Sequence, residues 1–198
     1  RRFRELLAGD DLIVAPGVYD GYSALLVEKA GFKMAATSGA AVSNSILGID
    51  DIGVMGLTEN VSHCRYIARS VSIPVTADAD TGYGNPMNVH YAVRMFEEAG
   101  IAGINIEDQV HPKRCGHMPG KEVVDEYEMV KKIEAACLAR TDDDFAIIAR
   151  TDALALEGIE GAVRRVRAYV AAGADMIFPD AARSREDIER IVEASGVP

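Results

Sequence analysis

Residues 74–84 read Pro-Val-Thr-Ala-Asp-Ala-Asp-Thr-Gly-Tyr-Gly, a short apolar run that ends in two acids and then in two glycines. In extended backbone, residues i and i+2 share a face, so Asp78 and Asp80 point the same way. Two carboxylates a few ångströms apart repel unless a cation neutralises them. Hard oxygen ligands of this kind suit Mg²⁺, with Mn²⁺ as the alternative. A turn capped by Asp accounts for the same pair of acids, so this segment alone leaves both readings open. Gly82 and Gly84 let the chain turn tightly just beyond.

The same pattern, an apolar strand ending in small or polar residues, recurs along the chain. Candidate strands are Leu12–Ala15, Met34–Thr37, Pro74–Ala77, Gly103–Ile106, Ala146–Ala149 and Met176–Phe178. Amphipathic helical stretches lie between them: Ser23–Ala30, Thr58–Ser70, Asn88–Ala99, Glu126–Ala139, Ile159–Ala172 and Ser184–Ala194. Gly31, Gly100 and Gly173 are stop signals, and Thr58 and Ser184 are the expected N-caps. Strands alternating with helices imply a parallel sheet. The dinucleotide fingerprint is absent after the first strand, where Pro16-Gly17-Val18-Tyr19-Asp20 stands instead.

Polar residues follow nearly every strand: Tyr19 and Asp20, Ser38, Asp78 and Asp80, Glu107 and Asp108, Arg150 and Asp152, and Asp180. A (β/α)₈ TIM barrel gathers all its strand ends around one mouth, whereas an open sheet scatters them, so the barrel is the expected α/β fold. Six βα units are legible in the 198 residues. A closed barrel has eight units and typically ~250 residues. The expectation is one barrel domain over residues 1–198, incomplete at its C-terminal end.

The net charge of −10 makes nucleic acid and anionic membranes poor partners. No apolar run approaches the ~20 residues that span a bilayer. The three cysteines, Cys64, Cys115 and Cys137, lack metal-ligand spacing, which fits a reduced cytoplasmic protein.

Several groups carry chemistry. Glu107 is placed to join the acids of the preceding strand. Asp51 lies in the loop after the second strand, where a solvated acid is the simpler reading. In Lys113-Arg114-Cys115-Gly116-His117, cationic neighbours favour thiolate, and glycine hinges let such a loop close over a substrate. Cys64 and Cys137 read as packing residues within helices, and His63 and His90 as surface or capping groups. Ser38-Gly39-Ala40 lets backbone N–H groups approach an anion. Arg150 can fork onto a carboxylate, or pair with one of the many acids.

Taken in order, six segments resemble the isocitrate lyase/phosphoenolpyruvate mutase superfamily: 16–20, 38–40, 78–84, 106–109, 113–117 and 149–153. The look is nearest to lyases acting on 2-methylisocitrate or substituted malates. The resemblance implies Mg²⁺ held by Asp51, Asp78, Asp80 and Glu107, a homotetramer, and an α-keto acid product. It implies that Ser38, Gly39, Ala40, Gly116, Arg150 and Asp180 bind the small carboxylic acid substrate. It further implies a retro-aldol-type cleavage in which Cys115 protonates the carbanion while Arg114 and His117 tune the thiol. Tyr19 and a metal-bound hydroxide are both candidates for the base. Two positions depart from the pattern: Asp180 where many such lyases carry Glu, and Ala40 where several carry Gly. Oxaloacetate hydrolase, decarboxylase and phosphonate-forming mutase are rival chemistries on the same scaffold, although Cys115 speaks against the mutase. A non-catalytic metal- or carboxylate-binding barrel is the remaining alternative.

Overall fold

The computed structural model describes residues 2–9, 11–116 and 118–198. Its elements run α1 (Arg2–Leu7), β1 (Gly17–Val18), α2 (Gly21–Lys29), β2 (Ala35–Thr37), α3 (Gly39–Leu47), α4 (Leu57–Ser70), β3 (Val75–Asp78) and α5 (Pro86–Glu98). They continue with β4 (Gly103–Glu107), α6 (Glu126–Ala139), β5 (Ala146–Thr151), α7 (Leu154–Ala171), β6 (Met176–Pro179) and α8 (Arg185–Ser195). The six strands form one parallel sheet in chain order. A doubly wound sheet reverses its order at a switch point, and no reversal occurs here. The sheet is the wall of a (β/α) barrel.

Alternation along each strand divides the two sides of that wall. Val75 and Ala77, Ile104 and Ile106, and Ile147 and Ala149 face the helices, where they pack with Val61, Ile67, Val93, Phe96, Met129, Ile133 and Tyr169 in one core. Thr76, Asp78, Asn105, Ile148 and Arg150 face a cavity on the other side. The register pairs Asp78 with Asn105, Asn105 with Ile148, and Glu107 with Arg150, so polar side chains gather at the C-terminal ends of the strands.

The first strand differs from expectation. Leu12 is 91 % exposed, and the segment that bonds to β2 is Gly17–Val18. Apolarity marked Leu12–Ala15 as a strand, but pairing begins only at the Pro16 carbonyl, which accepts from Ala36 N–H. Thr58 is not the cap of α4. Gly56 has the extended cap geometry, and its N–H donates to Glu59 Oε2 at 2.8 Å. Ser184 does cap α8, accepting from Asp187 N–H. In α7 the backbone breaks at Gly158, so the expected start at Ile159 is the start of its second segment. Helix α3 was not expected: Ser38 ends β2 and also caps α3, accepting from Ala41 N–H.

Candidate active site

A cavity of about 660 Å³ opens at the strand ends and reaches down to Phe3 and Leu7 of α1. Its polar wall includes Ser38, Gly39, Ala40, Asp51, Asp78, Asn105, Cys115, Gly116, Arg150 and Asp180. The N-terminus of α3 is set there by a close approach: Gly39 N–H donates to Asp78 Oδ2 at 3.3 Å, and a Cβ on Gly39 would lie 2.5 Å from that oxygen.

The loop Asp78–Gly84 is built on left-handed backbone, with φ of 46° at Asp80 and 84° at Gly82. Asp80 N–H donates to Asp78 Oδ1, and the Asn60 amide donates to both the Asp78 carbonyl and the Tyr83 hydroxyl. These bonds turn Asp80 into the interior, where it is 4 % exposed. Burial and the neighbouring Asp78 push its carboxyl up to about 7, against the pull of Lys113.

Asp51 arrives on the loop after α3, whose carbonyls at Ile49 and Asp50 accept from Ser43. Between Asp51 and Asp80 sits the Lys113 ammonium, 2.6 Å from one carboxylate and 2.8 Å from the other. Burial opposes the charge on Lys113, but Asp80, Asp78, Glu107 and Asp51 outweigh it and hold the amine protonated.

Glu107 is fully buried. Its Oε2 lies 3.3 Å from Arg150 Nη1, while Oε1 has no hydrogen-bond partner. Burial pushes its carboxyl well above the usual carboxylate range. Among the described residues no three His, Cys, Asp or Glu side chains already converge as a metal cage. The donor set nonetheless fits a hard divalent cation in kind: oxygen ligands only, one of them a buried acceptor with nothing to accept from.

Arg150 lies in a ring of opposite charges. Its Nε and Nη2 fork onto Asp152 at 2.9 and 3.1 Å. Nη2 lies 3.5 Å from Asp180, and the guanidinium stands over the Phe178 ring. Lys121 closes the ring, 2.6 Å from Asp152 and 2.9 Å from Asp180. Burial alone would raise the Asp152 carboxyl, but the hydrogen bonds and charges of Arg150 and Lys121 hold it below the usual range. Behind the ring, Asp108 accepts from Asp152 N–H, the Thr151 hydroxyl and the Tyr169 hydroxyl. It therefore fixes the end of β5 and does not reach the cavity.

An arch, residues 110–116 and 118–123, reaches the cavity at Cys115 and Gly116. It is fastened at its feet by Val110 N–H to the Glu122 carbonyl and Val124 N–H to the Asp108 carbonyl. The Gln109 amide bonds both backbone groups of Arg114. Cys115 and Gly116 thereby line the cavity, whereas Arg114 is exposed and does not. His117 lies outside the described residues.

Tyr19 is 43 % exposed, its carbonyl accepts from His63, and it is not part of the cavity wall. Cys64 is buried in the core and its thiol is pushed up to about 12 by burial. Cys137 is half-buried with its thiol on the Gly173 carbonyl, and His90 is exposed.

Residues 3–198 match the family model described as phosphoenolpyruvate phosphomutase. A solved structure of 2,3-dimethylmalate lyase, a PEP mutase/isocitrate lyase superfamily member, superposes with a TM-score of 0.92 at 42 % identity, covering 96 % of this chain and 64 % of that one. The chain belongs to this superfamily. It is 45 % identical to 2,3-dimethylmalate lyase of Eubacterium barkeri over 97 % of its length, and 48 % identical to 2-methylisocitrate lyase of Aeropyrum pernix over 98 %. It spans 66 % and 62 % of the length of those two relatives. An oxaloacetate acetylhydrolase bound to 3,3-difluorooxalacetate superposes with a TM-score of 0.94 at 40 % identity, covering 98 % of this chain and 67 % of that one. A phosphonopyruvate hydrolase complex with oxalate and Mg²⁺ gives 0.89 at 37 % identity, covering all of this chain and 69 % of that one.

Within this superfamily barrel the fold brings four groups to the site to which the sequence reading gave no role there: Lys113, Lys121, Asp152 and Asn105. Lys113 and Asp152 stood inside quoted motifs, and charge balance was the available signal, since so many acids at one mouth need cations. Lys121 carried no local signal, because its partners lie 31 and 59 residues away. Asn105 was legible only as the inward-facing neighbour of Glu107 two residues on.

Proposed function

We propose that the protein is a Mg²⁺-dependent carbon–carbon lyase that cleaves a 2-hydroxy di- or tricarboxylic acid to an α-keto acid and a second carboxylic acid. The observation that carries this reading is the cavity itself, whose lining brings Cys115 together with Asp51, Asp78 and Arg150. Asp51, Asp78, Asp80 and Glu107 would hold the cation, Mn²⁺ serving in place of Mg²⁺. When bound it supplies Lewis-acid polarisation of the substrate's oxygens. Lys113 offsets the charge of the acid cluster.

Arg150, pre-oriented by Asp152, forks onto a substrate carboxylate. The N-terminus of α3 at Ser38, Gly39 and Ala40 presents its positive dipole end to the same anion. Gly116 and Asp180 border that subsite. Cys115 gives its proton to the carbanion left by carbon–carbon scission, a general-acid step that a positioned thiol can perform. The arch borders the cavity at Cys115 and Gly116, where it limits the access of water to the reacting groups.

A second reading, hydrolysis of oxaloacetate, is favoured by the likeness to the acetylhydrolase structure. The loop thiol argues against a phosphonate mutase, and the intact acid cluster against a purely binding role. The three free cysteines fit a reducing, cytoplasmic setting. A homotetramer is the assembly that the family resemblance implies.

The test is product analysis with Mg²⁺ and 2-methylisocitrate, isocitrate, 2,3-dimethylmalate or oxaloacetate. Pyruvate or glyoxylate from a hydroxy acid supports the lyase. Oxalate plus acetate from oxaloacetate, with no cleavage of hydroxy acids, moves the protein to the hydrolases.

A further inference from the structure

Lys121 is 9 % exposed, and its ammonium reaches two acids that end different strands, Asp152 after β5 and Asp180 after β6. The same two acids hold Arg150, so one ring links Lys121, Asp152, Arg150 and Asp180. Lys121 belongs to the stem of the arch, whose Gly116 rests on the same ring. A Cβ added to Gly116 would lie 2.5 Å from Arg150 Nη2 and 2.8 Å from Asp180 Oδ2.

Asp152 has no exposed surface, and a buried carboxylate that loses one of two cationic partners either recruits a proton or pulls harder on the other. In either case the guanidinium held on Asp152 changes its angle or its share of charge. If the stem lifts away, the ring loses Lys121, and if the ring loosens, Gly116 loses its seat.

We propose that Lys121 is a positioning residue: it acts through Asp152 and Asp180 to set Arg150 for a substrate carboxylate, and so couples seating of the arch to carboxylate binding. This rests on the reading that Arg150 binds a carboxylate of the substrate. The ligand class is a small dianionic or trianionic carboxylic acid, and oxalate is the probe.

The experiment uses the full-length protein with Mg²⁺ and compares wild type, Lys121→Met, Lys121→Arg and Arg150→Lys. Oxalate affinity is measured by titration calorimetry, and tryptic cleavage after the exposed Arg114 is followed with and without oxalate. Thermal melting serves as the fold control. The proposal expects Lys121→Met to weaken oxalate at least tenfold and to lose oxalate's protection of Arg114 while the protein remains folded. Lys121→Arg should restore most of both. Equal affinity and equal protection in Lys121→Met overturn it, as does a loss that tracks only the melting temperature. Should Lys121→Met fail to fold, Lys121→Gln, which keeps hydrogen-bonding capacity without charge, carries the same expectation. If Arg150→Lys also binds oxalate normally, the carboxylate-subsite reading itself falls. If only the Lys121 variants bind normally, the coupling alone falls.

Discussion

Replacing Gly116 by alanine should cost activity far more than stability. The backbone at Gly116 is not left-handed, so alanine is allowed there by conformation, and the constraint is space alone. The new methyl would lie 2.5 Å from Arg150 Nη2 and 2.8 Å from Asp180 Oδ2. Ordinary contact begins near ~3.5 Å, so the overlap is about 1 Å. Arg150 is held by its two-pronged bond to Asp152 and by Phe178. The arch is held by backbone bonds at its feet and by Gln109 at Arg114, none of them made by Gly116 itself, so the backbone at Gly116 is the part that yields. Cys115 is the adjacent residue and moves with it. A misplacement of about 1 Å at a reacting group costs on the order of 100-fold, or ~2.7 kcal/mol of barrier. We therefore expect kcat/KM to fall about 100-fold in a coupled pyruvate assay. The melting temperature should change little, since substitutions outside the core stay within about 0.5 kcal/mol. A kcat/KM within threefold of wild type would refute the reasoning, as would a loss explained by unfolding.

Gly82→Ala should act on stability. The residue sits at φ 84°, and its Cβ would press on Val89 Cγ2, so left-handed strain adds to overpacking for a total of roughly 2–4 kcal/mol. A lowered urea midpoint with an unchanged m-value is the expected result. Asp108→Leu leaves the Asp152 N–H and the Thr151 hydroxyl without their acceptor and removes a buried partner of Arg165. The loss should be about 3–5 kcal/mol by denaturant titration, and a loss under 1 kcal/mol would mean that the network relaxes freely. For Asp152, whose folded carboxyl titrates below its ordinary value, the ionised form contributes stability above about pH 4 and loses it as pH falls through the lower folded value. The stability gap between wild type and Asp152→Asn should therefore be flat from about pH 5 to 7 and narrow below about pH 4. A gap that widens on acidification would contradict this assignment.

Much of the fold was legible because each unit states its own period. β4 reads Gly-Ile-Asn-Ile-Glu, with Ile104 and Ile106 to the helices and Asn105 and Glu107 to the mouth, and α6 runs over the expected residues. The first strand was misplaced because Leu12 and Val14 look like strand residues, although what defines a strand is a partner, here Ala36 and Thr37. Helix α3 was hidden by a Ser-Gly-Ala start that reads equally well as a turn. At the site, Asp78, Asp80 and Glu107 were legible from strand-end positions and Cys115 from its cationic loop neighbours, whereas Asp51 was singled out only by the family resemblance. Lys113 bridging Asp51 to Asp80, and Lys121 bridging Asp152 to Asp180, were not, because ion pairs across 31 to 62 residues leave no local trace. Tyr19 and Arg114 show the converse: one follows a strand end and the other adjoins Cys115, yet in the described structure each is exposed and outside the cavity wall.

The central claim is that a thiol in this cavity delivers a proton during carbon–carbon cleavage. Its most direct test is the rate of pyruvate release from 2,3-dimethylmalate or 2-methylisocitrate by full-length wild type and Cys115→Ser, each with Mg²⁺ and with EDTA. We expect cleavage only by wild type with Mg²⁺, and a fall of at least 100-fold in the variant while its oxalate affinity is retained. Undiminished cleavage by Cys115→Ser, or cleavage that persists in EDTA, would contradict the account.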